Sequence, residues 1–145
     1  MPLEKVTALN PHTKFIPERL IDHNANTFYA SKPGRTLQPW VQLELKHESV
    51  VNLVEIINRV SCCGNTMSDV EVRVGNDAVT KENPQGLSAN KVCGKFAGPG
   101  KDGQVIRIEC TKPITGKYVT IQIKDKSVKQ MNIADVDVIG TFKSM

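Results

Sequence analysis

Along much of the chain, apolar and polar residues alternate over short stretches, and that period sets the fold class. WVQLEL (Trp40 to Leu45) opens one face with Trp40 or Val41 and sets Gln42 and Glu44 on the other. DVEVRVG (Asp69 to Gly75) puts Val70, Val72 and Val74 on one face, with Glu71 and Arg73 opposite; QVIRIEC, KYVTIQIKD and ADVDVIGTF repeat the pattern. A period of two marks half-buried antiparallel strands. VVNLVEIINRV is more continuously apolar, which predicts a central strand buried on both faces. SKPGRTLQP, GNDAVTKENPQGL and FAGPGKDG carry the Gly, Pro, Asn and Asp of loops. No long 3.6-residue period occurs, and IPERLID predicts a single helical turn at most. Without a repeat, a low-complexity run or a linker, residues 1–145 read as one domain: an all-β antiparallel β-sandwich of the jelly-roll kind.

Composition narrows the function classes. A length of 145 residues with 39% hydrophobic content suffices for one real core. The net charge of +4 is scattered, and the densest basic run, KDKSVK (Lys124 to Lys129), contains Asp125, so no nucleic-acid partner is expected. No apolar stretch approaches the roughly 20 residues that span a bilayer; Asn52, Glu55 and Asn58 interrupt the longest candidate. The opening MPLEKVTALN lacks a basic segment followed by an apolar one, so either the protein stays in the cytosol or Met1 begins a mature chain whose signal has been removed. His12, His23 and His47 stand near no serine or cysteine arrangement that suggests a triad, and the carboxylates form no matched acid/base pair. An enzyme is not expected.

The chemistry that stands out is NRVSCCG, in which Cys62 adjoins Cys63. Four cysteines (Cys62, Cys63, Cys93, Cys110) permit two bridges and three connectivities; none forms a C-x-x-C pair, and no histidine lies at zinc-finger spacing from them. The adjacent pair is either two free thiols packed as small hydrophobes or a vicinal disulfide. It follows a buried strand and precedes Gly64, at a strand end where ligand loops begin. A bonded pair there would offer a rigid, polarisable sulfur surface to the apolar face of a small ring such as a sugar. Pairing with Cys93 or Cys110 stays open on the sequence.

NRVSCCG followed by SDVEVRVG resembles the core of the F-type lectins, the fucose-binding branch of the discoidin-like jelly rolls. The resemblance covers nearly the whole chain: ERLIDHNANTFYAS is similar to the family's N-terminal calcium segment, QPWVQLEL to its Trp-bearing strand, GKYVTIQI to a late strand and IADVDVIG to the closing strand. It implies a Cys62–Cys63 ring under the sugar and a second bridge between Cys93 and Cys110. Both positions of the family's frequent third bridge are replaced, near Ser31 or Lys32 and at Ala134. Two bridges and the family's habit imply a secreted, extracellular protein; no N-x-S/T sequon occurs.

The resemblance breaks at the sugar site. The family reads fucose with one histidine and two arginines, and an aspartate stands two residues after the first arginine. Here the first arginine is Arg59, while the histidine position falls on Lys32, the aspartate position on Ser61 and the second arginine position on Thr66. Losing two charge-assisted hydrogen bonds costs about 3–6 kcal/mol, on the order of 100-fold to 10⁴-fold in affinity. The expectation is therefore altered or weakened fucose specificity, with Arg59, Cys62, Cys63, Lys32, Tyr29, Thr66 and Asn65 as carbohydrate contacts. Arg59 would otherwise be a strand-end arginine paired with a carboxylate, and Tyr29 a core residue; Trp40 is expected in the core.

The resemblance also implies a structural Ca²⁺ held by Asp22, Asn24 and Ser31, by Ala134 and Asp135 on the last strand, and by the Arg19 carbonyl. Taken alone, D-x-N more often makes an Asx-turn. The partners implied are glycans or glycoproteins, with a homo-oligomer giving multivalency. The alternative is a discoidin-like adhesive domain that meets protein or membrane surfaces through apolar spikes, with Leu37 and Met67 as candidates.

Overall fold

The alternating stretches become strands in the computed structural model, which describes residues 3–9, 11–24, 26–32, 37–126 and 130–142. The end of the basic run KDKSVK, residues 127–129, and the centre of SKPGRTLQP, residues 33–36, lie outside the described residues. The strands are β1 (Leu3–Ala8), β2 (Tyr29–Ala30), β3 (Trp40–Asn58), β4 (Val70–Gly75), β5 (Lys91–Phe96), β6 (Val105–Ile123) and β7 (Asn132–Phe142). All pair antiparallel in the order β2-β7-β3-β6-β4-β5, with β1 on β3.

Two long strands make the sheet into two layers. The first part of β3, Trp40 to Glu44, pairs with β1 and with the end of β6, and β4 joins that same end. After register shifts between Glu44 and Ser49 and between Val51 and Leu53, β3 pairs instead with β7 and the start of β6. The sequence pattern had placed a break within each long strand; Lys46 and His47 are exposed, but the chain stays extended through the bend. One core cluster fills the space between layers, drawing Val41, Leu43 and Leu45 from one half of β3 and Val51, Val54 and Ile56 from the other. Each such side chain contributes about 1.5–3 kcal/mol by leaving water. Val70, Val72 and Val74 of β4 are all buried, as their alternation predicts, and so is Trp40.

The IPERLID segment forms a 3-10 helix over Pro17–Ile21, its first turn set by Pro17. One short helix, α1 (Gly86–Ala89), lies in a segment expected to be all loop. The edge strands β1 and β5 are additions to the sequence pattern; their burial does not alternate. β5 is bonded to β6 through Cys93–Cys110. There Gly94 permits close approach: a Cβ would lie 2.8 Å from Ile108 Cγ2 and 3.0 Å from the Glu109 carbonyl oxygen. Met67, expected as an exposed apolar spike, is buried in the core cluster, which leaves Leu37 as the exposed member of that pair.

Candidate lectin site at the cysteine ring

β3 ends at Asn58, and β7 opens with Asn132; β2 pairs with β7 through Tyr29–Ile133 and Ala30–Asn132. Register thus gathers residues 12–24, 26–32, 59–67, 97–104 and 130–132 near one rim. Asn58 is buried and ties the rim together. Its Oδ1 accepts from Arg59 N–H (3.1 Å), and its Nδ2 donates to the carbonyls of Gly64 (2.9 Å) and Lys101 (3.0 Å). Gly64 N–H donates to Asp102 Oδ1 (2.8 Å), and a Cβ on Gly64 would stand 2.5 Å from the Lys101 carbonyl carbon, so only glycine fits.

On this frame Cys62 and Cys63 are bonded to each other, both half-buried, with Cys63 in the left-handed region at φ 66°. Free thiols and the cross-pairings open on the sequence are thereby excluded. A 3-10 turn, Gly64–Thr66, follows the ring. Thr66 donates its hydroxyl to the Cys63 carbonyl (3.0 Å) and accepts from Asn132 Nδ2 (3.4 Å).

Arg59 is held on several sides. Its Nε donates to Ser61 Oγ (2.9 Å) and its Nη1 to Asn132 Oδ1 (3.1 Å), with Cys63 Sγ 4.0 Å from the same nitrogen. Its guanidinium carbon stands 3.7 Å from the centroid of Phe28. Phe28 stacks on Phe15 (centroids 4.3 Å apart), which is in turn 4.8 Å from His12. The alternative of an arginine paired with a carboxylate does not describe Arg59; Arg73 and Arg107 each take one, at 2.7 Å from Glu71 and Glu55.

The structure therefore brings Arg59, Cys62, Cys63 and Thr66 together, with Asn65 exposed on the same turn. Lys32 is exposed just beyond Ser31, and no contact joins it to this group among the described residues. Tyr29 needs correction as a ligand contact: it is wholly buried, its hydroxyl has no hydrogen-bond partner among the described residues, and burial pushes its ionisation well above the ordinary tyrosine range. Neighbours in an extended segment point to opposite faces, so Phe28 is the aromatic that meets Arg59. Phe28, Asn58, Asp102 and Asn132 were missed by sequence reasoning. For Phe28 the one available signal was its place next to Tyr29; the three polar residues gave none.

The expected calcium ligands fall in two groups. Asp22 Oδ1 accepts from Asn24 N–H (3.0 Å), its Oδ2 accepts from the Thr27 hydroxyl, and Asn24 Oδ1 accepts from Asn26 N–H (3.0 Å), so the segment does make Asx-turns. Ser31 is buried with its Oγ engaged by Met131 N–H (2.8 Å), which argues against a calcium role for that oxygen. The 3-10 helix bearing Arg19 packs on β7, which carries buried Ala134 and half-buried Asp135. Asp135 Oδ1 is buried without a hydrogen-bond partner among the described residues. Burial raises the Asp135 carboxyl above its ordinary range, His23 and the Val136 N–H pull it down, and Asp22 and Asp137 add to the rise. Asp135 Oδ1 is the kind of hard oxygen donor that calcium takes; no three His, Cys, Asp or Glu side chains come together as a metal site among the described residues, so the rest of such a shell would be backbone carbonyls.

Comparison with known proteins places the chain in a family. Residues 19–121 match the model of a family described as NedA-like, galactose-binding domain. The chain is 31% identical over 106 residues to a pentraxin fusion protein of Xenopus laevis, covering 73% of this chain and 24% of that protein. It is 27% identical over 128 residues to Fucolectin-1 of Anguilla japonica, covering 86% of this chain and 68% of that protein. The crystal structure of an F-lectin (fucolectin) from the serum of striped bass, Morone saxatilis, superposes with a TM-score of 0.79 at 26% identity, over 94% of this chain and 46% of that one. This chain thus spans a quarter of the frog protein's length and less than half of the bass chain. With the all-β sandwich and the bonded cysteine ring beside an anchored arginine, the match makes this chain a member of the NedA-like galactose-binding domain family and an F-type lectin-like domain within it.

Proposed function

We propose that this domain binds carbohydrate at the Cys62–Cys63 ring, with a specificity changed from simple fucose recognition, and that it works outside the cell. The observation that carries the reading is Arg59, fixed against Phe28 at 3.7 Å beside the bonded cysteines. A guanidinium already held in place loses little freedom when it donates to a sugar hydroxyl or ring oxygen. The sulfur pair supplies a flat apolar surface for a pyranose face, while Thr66, Asn65 and Lys32 offer hydroxyl, amide and ammonium groups around it. The binding needs no chemical step, so the function is recognition of glycans or glycoproteins rather than catalysis, and a homo-oligomer would raise avidity.

Calcium belongs to the same reading. Asp22 and Asp135, with the carbonyls of Arg19 and Ala134, would hold it and so pin the N-terminal loop that presents Phe28; the Asn24 carbonyl, like Ser31 Oγ, is already engaged, accepting from the Thr27 N–H (3.1 Å) and hydroxyl (3.0 Å). Bound there, the ion would supply positive charge to two crowded carboxylates. Two disulfides suit an oxidising compartment.

The test is a glycan array in millimolar calcium, with wild type beside Arg59→Ala. A defined signal is expected, weakened about 10–100-fold in the variant, as for one lost charge-assisted hydrogen bond. Silence from both proteins would retire the sugar reading in favour of protein or lipid surfaces, which liposome sedimentation would then examine.

A further inference from the structure

We propose that the Arg59 site prefers glycans bearing an oxyanion, a carboxylate or a sulfate, over their neutral counterparts. The proposal rests on the lectin reading and names its ligand class.

It begins from what surrounds the guanidinium. Ser61 Oγ, Asn132 Oδ1, Cys63 Sγ and the Phe28 ring are the groups that touch it, and all are neutral. Every Asp and Glu of the chain lies among the described residues, and none forms an ion pair with Arg59. The contrast within the molecule is direct: Arg73 and Arg107 each hold a carboxylate at 2.7 Å. Asp102 is the carboxylate that reaches the ring turn, and it accepts the Gly64 N–H at 2.8 Å. Next to it in the chain, Lys101 is exposed.

The second part is donor geometry. Arginine has five N–H donors. Nε is committed to Ser61 and Nη1 to both Asn132 Oδ1 and Cys63 Sγ, whereas Nη2 makes no hydrogen bond among the described residues. The half-buried cation is thus oriented by neutral anchors, with donors left over and its charge unneutralised. A carboxylate or sulfate can take the Nη2 hydrogens in charge-assisted bonds that a neutral sugar hydroxyl cannot match. Ionised acceptors bind roughly twice as strongly as neutral ones, which predicts about a tenfold advantage for the acidic ligand. A carboxylate at position 61 would reverse this by neutralising Arg59 and repelling the ligand's charge.

Titration calorimetry with matched ligands tests the idea: galactose, galacturonic acid and galactose 6-sulfate, at low and high salt, on wild type, Ser61→Asp and Arg59→Gln. Expected is about tenfold tighter binding of one or both acidic sugars, an advantage that shrinks at high salt and vanishes in both variants. The uronic acid and sulfate arms tell the two anions apart. Equal or tighter Arg59-dependent binding of galactose would overturn the acidic preference and leave the lectin reading standing. A preference that survives in Arg59→Gln would place the anion elsewhere and overturn it too. If no sugar binds here and the glycan array shows no Arg59-dependent signal, both readings fall.

Discussion

The Cys93–Cys110 bridge joins residues 17 apart in the chain, with Cys93 in the buried core, whereas the Cys62–Cys63 bridge joins neighbours at the rim. The first fastens edge strand β5 to β6 and shortens the unfolded chain's freedom, which is how a disulfide ordinarily stabilises. The second closes no loop of consequence, so loop entropy gives it almost no stabilising role. Its effect is local. It sets two sulfurs beside a fixed guanidinium on a turn already anchored by Asn58, Gly64 and Asp102. The same bond type thus serves the sandwich at one place and, in the proposed function, ligand contact at the other.

That division can be broken outright by removing each bridge in turn. Cys93→Ala with Cys110→Ala should lower unfolding free energy by about 3 kcal/mol, the value for a loop of about this size, with glycan binding retained below the melting transition. Cys62→Ser with Cys63→Ser should change stability by less than about 0.5 kcal/mol yet weaken glycan binding about tenfold or more. Urea denaturation and calorimetry read the two quantities. Equal stability losses from both pairs would end the distinction.

A second contrast sets the ring against the loop proposed to hold calcium. Adding calcium at a hundred times its dissociation constant should raise stability by about 2.7 kcal/mol. Asp135→Asn removes a carboxylate whose Oδ1 is buried without a partner. In chelator the variant should melt at or above the wild type, because a desolvated charge is gone; in calcium it should fail to show the wild-type gain. Melting curves in both buffers give four numbers, and calcium-independent melting of the wild type would remove the ion from the account.

How much of this was legible in the sequence follows from the range of each interaction. Alternation in β4 and β7 was plain because each strand buries one face. β1 and β5 lie at sheet edges, where burial follows no period, and the sequence pattern passed over them. At the site, Arg59, the cysteines and Thr66 lie within eight residues, so a local motif holds them. Asn132 lies 73 residues from the Arg59 it contacts, and Asp102 lies 38 from Gly64. Those pairings are products of strand register, and nothing in a local stretch announces them. The Tyr29 error has the same origin in miniature: a shift of one residue in an extended segment exchanges core and rim.

The finest test uses that pair of neighbours. Phe28 stands under the Arg59 guanidinium at 3.7 Å, and Tyr29 is sealed in the core with an unpartnered hydroxyl. Phe28→Leu keeps an apolar side chain but removes the ring face, a loss of about 1 kcal/mol that should weaken glycan affinity about fivefold. Tyr29→Phe removes only the buried oxygen; it should leave affinity unchanged and raise stability by up to about 1 kcal/mol, since no hydrogen bond is lost. If instead Tyr29→Phe weakened binding and Phe28→Leu did not, the aromatic that serves the ligand would be the one now assigned to the core. The stacking of Arg59 on Phe28 would then be packing without consequence for recognition.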